Sequence, residues 1–361
     1  MFERNRKSTV ILGGGLGYLP EAILDLASGD HFVAVLEPDV GLWQLGRCHR
    51  PDAAYFNSTR IGIRLVPTPS TFSNCCQELT AESGLIVSPY FLRLAQHDDT
   101  PIAGFVQILR SEMASRHVYD TLISTHTAIN GPRLAHCPSA LNVRLLDDKL
   151  VCVCGAGPSL TPCLASVKRC RAQVIVVAAS GAVPSLLQAG IEPDWIIALE
   201  GRESIVNDLS DLRADSHIIA FEVVNPAVLE RFGESTIYRG DGVQGLETRG
   251  GSSLIPAVDF ALRTSTAEIA LLGADLSLAS GLYAGGAKRD ASPTDLGNPS
   301  PPKFASMRAG IERLLSKPDL QNRTIFHVLP KGRPLRGTSC IEPSDLEERI
   351  GKYAAQTRTH V

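Results

Sequence analysis

Hydrophobic positions in the first third of the chain come in short runs separated by glycine and proline. Thr9 to Leu12 is an apolar run that leads into Gly13-Gly14-Gly15-Leu16-Gly17, and helical spacing follows from Leu19 to Ala27. The stretch HFVAVLEP ends a strand at Glu37, and IRLVPT and GLIVSPYF are two further strand candidates. From Gly104 to Ile123, Phe105, Ile108, Leu109, Val118 and Leu122 recur at loosely helical spacing, and Asn130-Gly131-Pro132 reads as a boundary turn. The pattern then restarts. KLVCVCG, QVIVVAAS, WIIALE, HIIAFEVV, STIYRG, EIALLGAD and TIFHVLP read as strands with helical segments between most of them. Strands alternating with helices predict parallel sheets. The expected architecture is α/β with two Rossmann-like domains, residues 1–125 and 126–361, the second a larger doubly wound sheet. Residues 291–304 are expected to be a mobile loop, and a terminal helix is expected from Glu342.

Composition narrows the function classes. With 361 residues, 44% hydrophobic and 20% charged, the chain can bury two ordinary cores. A net charge of −3 supplies no global field for nucleic acid or anionic lipid, so neither nucleic acid nor membrane is expected as a partner. The longest apolar run, Val174 to Ala179, is strand-sized, and the glycines at 13–15 break the first run too early for a signal peptide. The cytosol is the expected location. The nine cysteines lack zinc-knuckle spacing: Cys152 and Cys154 alternate along one strand face, and Cys75-Cys76 are adjacent. They are expected to be buried reduced thiols, with no metal site.

Glycine-rich strand ends carry the candidate chemistry. Gly13 to Gly17, between a strand and a helix with Glu37 closing the next strand, has the context of a dinucleotide- or adenosyl-binding turn. Its order departs from GxGxxG, and a purely structural turn is the favoured reading. Gly155-Ala156-Gly157-Pro158-Ser159 is expected to turn its backbone amides outward, with Pro158 and Ser159 opening a helix, as an anion cradle. No lysine follows at the Walker position, so a phosphodiester or nucleoside monophosphate suits it better than a magnesium triphosphate. Ser180-Gly181, Asp194 with Glu200, Gly250-Gly251-Ser252-Ser253, and Gly273-Ala274-Asp275 are further polar segments expected at the C-terminal ends of strands, where doubly wound sheets bind ligands.

The blocks GAGPSL, GIEPDWIIALE, GGSSLIPAVDFA and LLGADLSL, in that order, resemble the bacterial motility accessory factor family of flagellin glycosyltransferases. The central domain of that family is shared with archaeal 6-hydroxymethylpterin diphosphokinase-like proteins. LGGGLGYLPEAI…VAVLEPD resembles the small Rossmann-like domain that precedes it, so the likeness covers most of residues 9 to 345. The resemblance implies transfer of a nonulosonic (sialic-like) acid from its CMP-activated form to Ser or Thr of flagellin. No further cofactor is implied. The GxGPSL turn also looks like the nucleotide-binding turn of bacterial sialyltransferases, which the second domain resembles. That likeness puts Gly155, Gly157, Pro158 and Ser159 at the CMP phosphate and ribose, and Ser180, Gly181 and Glu200 on the cytidine side. Gly251, Ser252, Gly273 and Asp275 flank the sugar, with Asp194 also on the substrate side.

Two departures stand out. Tyr283 stands at about the place of the family's histidine after the GxDL motif, and no counterpart of the long helical C-terminal domain of many members is expected. Departure of CMP through an oxocarbenium-like transition state needs donors for the phosphate and a base for the acceptor hydroxyl. Asp275 is the expected base, with Tyr283 or Arg249 beside the phosphate. His126, His136, His217 and His327 have no context that singles one out. The alternatives are pyrophosphoryl transfer to a pterin, which needs magnesium on acids such as Asp194 and Glu200, and a non-catalytic flagellar assembly factor.

Overall fold

The computed structural model describes residues 8–27, 29–66, 83–94, 122–242, 244–248, 251–276, 302–317, 323–328 and 334–358. The chain divides into two compact units, residues 1–116 and 117–361. Each is built on its own parallel sheet.

The first unit has strands β1 (Ser8–Leu12), β2 (Phe32–Glu37), β3 (Ile61–Leu65) and β4 (Ser83–Val87), in the order β3-β2-β1-β4. All pairings are parallel. Helix Tyr18–Leu26 connects β1 to β2, and its Ile23 and Leu24 pack with Ile11, Val33 and Val35. Asp39 caps the next helix, Val40–His49, by accepting from the Leu42 N–H at 2.9 Å.

The second unit has eight strands: β5 (Leu150–Cys154), β6 (Val174–Ala179), β7 (Trp195–Ala198), β8 (His217–Ala220), β9 (Ile237–Arg239), β10 (Ile269–Leu272), β11 (Ile325–Val328) and β12 (Ser339–Ile341). Their order is β12-β11-β10-β5-β6-β7-β8-β9, all parallel. The chain winds outward from β5 to β9, then returns to the other side of β5 and winds outward again to β12. The direction reverses between β5 and β10. That is the topological switch point of a doubly wound sheet.

Strand β5 shows why these sequences read as near-continuous apolar runs: all five residues are buried, because helices cover both faces. Leu150, Cys152 and Cys154 face the layer of helices Leu160–Arg169 and Leu346–Arg358. Val151 and Val153 face the layer of Leu254–Thr264 and Pro302–Leu315. Cys152 and Cys154 are free, fully buried thiols, and burial pushes both well above the ordinary thiol range. The helix Leu254–Thr264 is buried at every residue except Arg263.

Three local expectations change. Residues 122–134 are helical straight through Asn130-Gly131-Pro132, where a boundary turn was expected. The Asn130 side chain donates to the carbonyls of Glu222 and Val224 at 2.9 and 2.7 Å, so tertiary bonds replace the local turn that Asn-Gly favours. Helix Pro302–Leu315 begins inside the stretch expected to be a loop, because Phe304, Ile311 and Leu314 give it a buried face; residues 291–301 lie outside the described residues. Strand β12 was not anticipated, since Ser-Cys-Ile is too short and too polar to register as a strand.

Candidate functional site

The turn after β5 and the turn after β10 meet at the switch point. The Gly155 N–H donates to the Leu272 carbonyl at 2.7 Å, and the Gly157 N–H donates to the Gly273 carbonyl at 2.8 Å. Backbones this close leave no room for side chains. A methyl group on Gly155 would lie 2.5 Å from the Gly273 oxygen. One on Gly273, at φ +63°, would lie 2.2 Å from the Gly155 oxygen. Ser159 then donates twice to one carboxylate oxygen, Asp275 Oδ2: from its backbone N–H at 3.0 Å and its hydroxyl at 2.8 Å.

This corrects the expected cradle. The amides of Gly157 and Ser159 face β10 rather than outward, and the anion at the start of helix Leu160–Arg169 is the protein's own Asp275. A carboxylate there is favoured by the helix dipole. Burial nonetheless raises the Asp275 carboxyl above its ordinary range, with the Ser159 bonds opposing that rise. Leu276 follows at φ +51°, a conformation that costs a β-carbon residue strain and often marks a functional loop. Gly157 also cannot be enlarged without disturbing the fold, because a methyl group there would lie 2.1 Å from Asp275 Oδ2.

The other expected residues sort clearly. Gly155, Gly157, Pro158, Ser159, Gly273 and Asp275 form one cluster. The start of helix Leu254–Thr264 joins it, since Leu254 lies 3.2 Å from where a Gly155 methyl would sit. Ser252 accepts from the Leu254 N–H through its hydroxyl at 3.3 Å, and Gly251 is exposed at φ +69° with open space beside it. Ser180, 5% exposed, and Gly181 form a tight turn after β6. Glu200 follows β7, accepts from the Arg202 N–H at 3.0 Å and pairs with its guanidinium at 3.5 Å. Strand spacing puts these two loops about 5 and 10 Å along the sheet edge from β5.

Asp194 does not belong there. It precedes β7, at the opposite edge of the sheet, where Oδ2 accepts from the Val176 N–H at 2.7 Å and Oδ1 from Arg171 at 2.8 Å. Its work is to pin β6 to β7. Asp194 and Glu200 are separated by the four residues of β7, roughly 13 Å, so they cannot share one magnesium ion. Tyr283 and Arg249 lie outside the described residues.

Among residues the sequence did not single out, His126 is the most informative. It lies on the helix of residues 122–134, is 8% exposed, and its Nδ1 is 3.2 Å from the Val223 carbonyl just after β8. Asn130, one helical turn on, grips the same loop. A methyl group on Gly201, just after β7, would lie 3.4 Å from Nδ1, so the imidazole sits between the two strand-end loops. Asp241, after β9, accepts from the Glu222 N–H, and burial raises its carboxyl. No local motif marks His126; only the i, i+4 pairing with Asn130 hints at a shared helix face. His327, by contrast, is a core residue of β11, fully buried, with its pKa pushed down to about 4 by burial.

The glycine turn of the first unit is filled by protein. Gly13, Gly15 and Gly17 have positive φ; methyl groups on Gly14 and Gly17 would strike Tyr55, and one on Gly13 would strike Phe91. Glu37, the acid expected at ribose hydroxyls, is wholly buried and accepts from the Gly15 and Asp39 N–H groups at 2.9 Å each. Burial raises its carboxyl. In both units a carboxylate from the adjacent strand end receives the amide that a phosphate would otherwise use.

Residues 127–281 match the family described as 6-hydroxymethylpterin diphosphokinase MptE-like. The matched segment is less than half of the chain. It contains β5 to β10 and every residue of the switch-point cluster. Among solved structures, the MAf glycosyltransferase from Magnetospirillum magneticum AMB-1 is similar at 16% identity and a TM-score of 0.47, over 97% of this chain and 61% of that one. The chain thus spans less than two thirds of that structure. No curated protein matches it in sequence. Among the described residues, no helix is long and apolar enough to cross a membrane, and no group of three or more His, Cys, Asp or Glu is placed to hold a metal ion.

Proposed function

We propose that the second unit is a glycosyltransferase that moves a nonulosonic acid from its CMP-activated form to Ser or Thr of flagellin. One observation carries the reading: the MptE-like segment places Gly155–Ser159 against Gly273–Asp275 at the switch point, without a P-loop lysine. The glycosidic bond to phosphate breaks with its electron pair leaving on CMP, and the acceptor oxygen forms the new bond as its proton departs. In this reading Gly155, Gly157 and Pro158 shape the floor of the donor site, and Ser180, Gly181 and Glu200 line its cytidine side. Gly251, Ser252 and Gly273 flank the sugar. Asp275 is better assigned as a positioning residue than as the expected base, because Oδ2 already receives both Ser159 donors. Tyr283 stays in the proposal as a catalytic residue beside the departing phosphate.

The MptE-like match favours a second reading, pyrophosphoryl transfer to a pterin. The separation of Asp194 from Glu200 removes the acid pair that reading would have used for magnesium. Thermal-shift measurements decide between the two. CMP or CDP should stabilise the protein without magnesium, by an amount that grows with ligand concentration. Stabilisation only by ATP with magnesium would overturn the glycosyltransferase in favour of the kinase. Mass spectrometry of flagellin from a deletion strain tests the acceptor: an unchanged glycan mass would remove flagellin.

A further inference from the structure

We propose that His126 is a ligand-facing hydrogen-bond acceptor that selects the nucleoside at the β7–β8 end of the crevice. The inference rests on the nucleotide reading of the same sheet edge. A carbonyl oxygen only accepts, so the contact to Val223 places the imidazole proton on Nδ1. In that tautomer the lone pair is on Nε2. Nε2 makes no hydrogen bond among the described residues. The ring is therefore gripped on one nitrogen, and the other has no partner among the described residues.

Its position fits a nucleoside. The imidazole lies between the loops that follow β7 and β8, beside Gly201, whose lack of a side chain admits the ring. From the turn after β5 that is two to three strand spacings, about 12 Å, a distance an extended nucleoside monophosphate covers. The carboxylates of Glu200 and Glu222 follow the same two strands, so this end of the edge is rich in acceptors and suits a group that donates. A nucleoside presents such donors at the exocyclic amine of cytosine and at the ribose hydroxyls. The shared chemistry is an N–H or O–H directed at Nε2.

A bare structural peg would need only the Nδ1 contact, and two substitutions separate the roles. His126→Asn can keep a donor near the Nδ1 position for Val223 while deleting the acceptor at Nε2; His126→Gln puts an amide near the Nε2 position. Calorimetric titration of the full chain with CMP, UMP and 2′-deoxy-CMP should show wild type binding CMP roughly tenfold more tightly than whichever analogue lacks the donor. UMP reports on the amine and 2′-deoxy-CMP on the ribose hydroxyl. His126→Asn should lose that preference at an unchanged melting temperature, and His126→Gln should restore part of it. If wild type binds CMP and His126→Asn binds it equally well, the proposal falls while the nucleotide reading stands. If wild type binds none of the three nucleotides, both fall.

Discussion

Removing the Ser159 hydroxyl offers a direct test of how the switch-point turn is built. Ser159→Ala deletes the 2.8 Å bond to Asp275 Oδ2 and leaves the 3.0 Å backbone bond in place. Ser159 is 2% exposed, so water cannot easily replace the lost donor. A hydrogen bond to a charged group contributes roughly 1.5–3 kcal/mol. A double-mutant cycle of Ser159→Ala, Asp275→Asn and the pair, read by urea denaturation, should give a coupling energy in that range. The coupling should also depend on pH. The Ser159 bonds hold the Asp275 carboxyl lower than burial alone would, so Ser159→Ala raises it further. The cost of the substitution is then fully present above the folded-state pKa of Asp275 and shrinks as acid protonates the carboxyl. Coupling below about 0.5 kcal/mol at neutral pH, or a cost that grows on acidification, would refute the claim that Asp275 fills the helix terminus.

Asp194→Ala should cost roughly 1–2 kcal/mol of stability through the lost bonds to Val176 and Arg171, while leaving CMP affinity untouched. A matched loss of nucleotide binding would return Asp194 to the site. His327, held neutral with a pKa pushed down to about 4, must take up a proton on unfolding between that value and about 6.5. Its contribution is therefore present at neutral pH and is lost as pH falls through that window, by about 3 kcal/mol between pH 7 and 4. The carboxyls of Asp275, Asp241 and Glu37, which burial raises, act in the opposite direction. The comparison is thus with His327→Asn, which keeps an acceptor for the Leu335 N–H; equal acid slopes in the two proteins would contradict it. Tyr55→Phe should be neutral or stabilising by up to about 1 kcal/mol, because the buried Tyr55 hydroxyl has no hydrogen-bond partner among the described residues. A loss of 2 kcal/mol or more in chemical denaturation would reveal a partner for it.

Much of the fold was legible because burial on both faces of a parallel sheet writes itself as short apolar runs. All seven strands expected in the second half appear, and the alternation of Cys152 and Cys154 already marked them as core positions. The candidate site was legible only as a set of strand ends. Gly155, Gly157 and Gly273 could be named from their glycine pattern, since close backbone approach leaves that trace. The direction in which their amides point could not, because it depends on a carboxylate 116 residues away from Ser159.

By itself the sequence determined which segments become strands, β12 apart, that the strands run parallel in two sheets, and that glycine, serine and acid gather where strands end. These are properties of near neighbours: apolar period, turn chemistry and length. Tertiary structure alone decided which neighbour each strand takes, and with it every pairing between loops. It put Asp275 on Ser159 rather than on a substrate, and Asp194 on Val176 at the far edge of the sheet. It also brought His126 from an unremarkable helix to the ends of β7 and β8. A side chain's partner across some hundred residues is set by strand order, and local patterning carries no record of strand order.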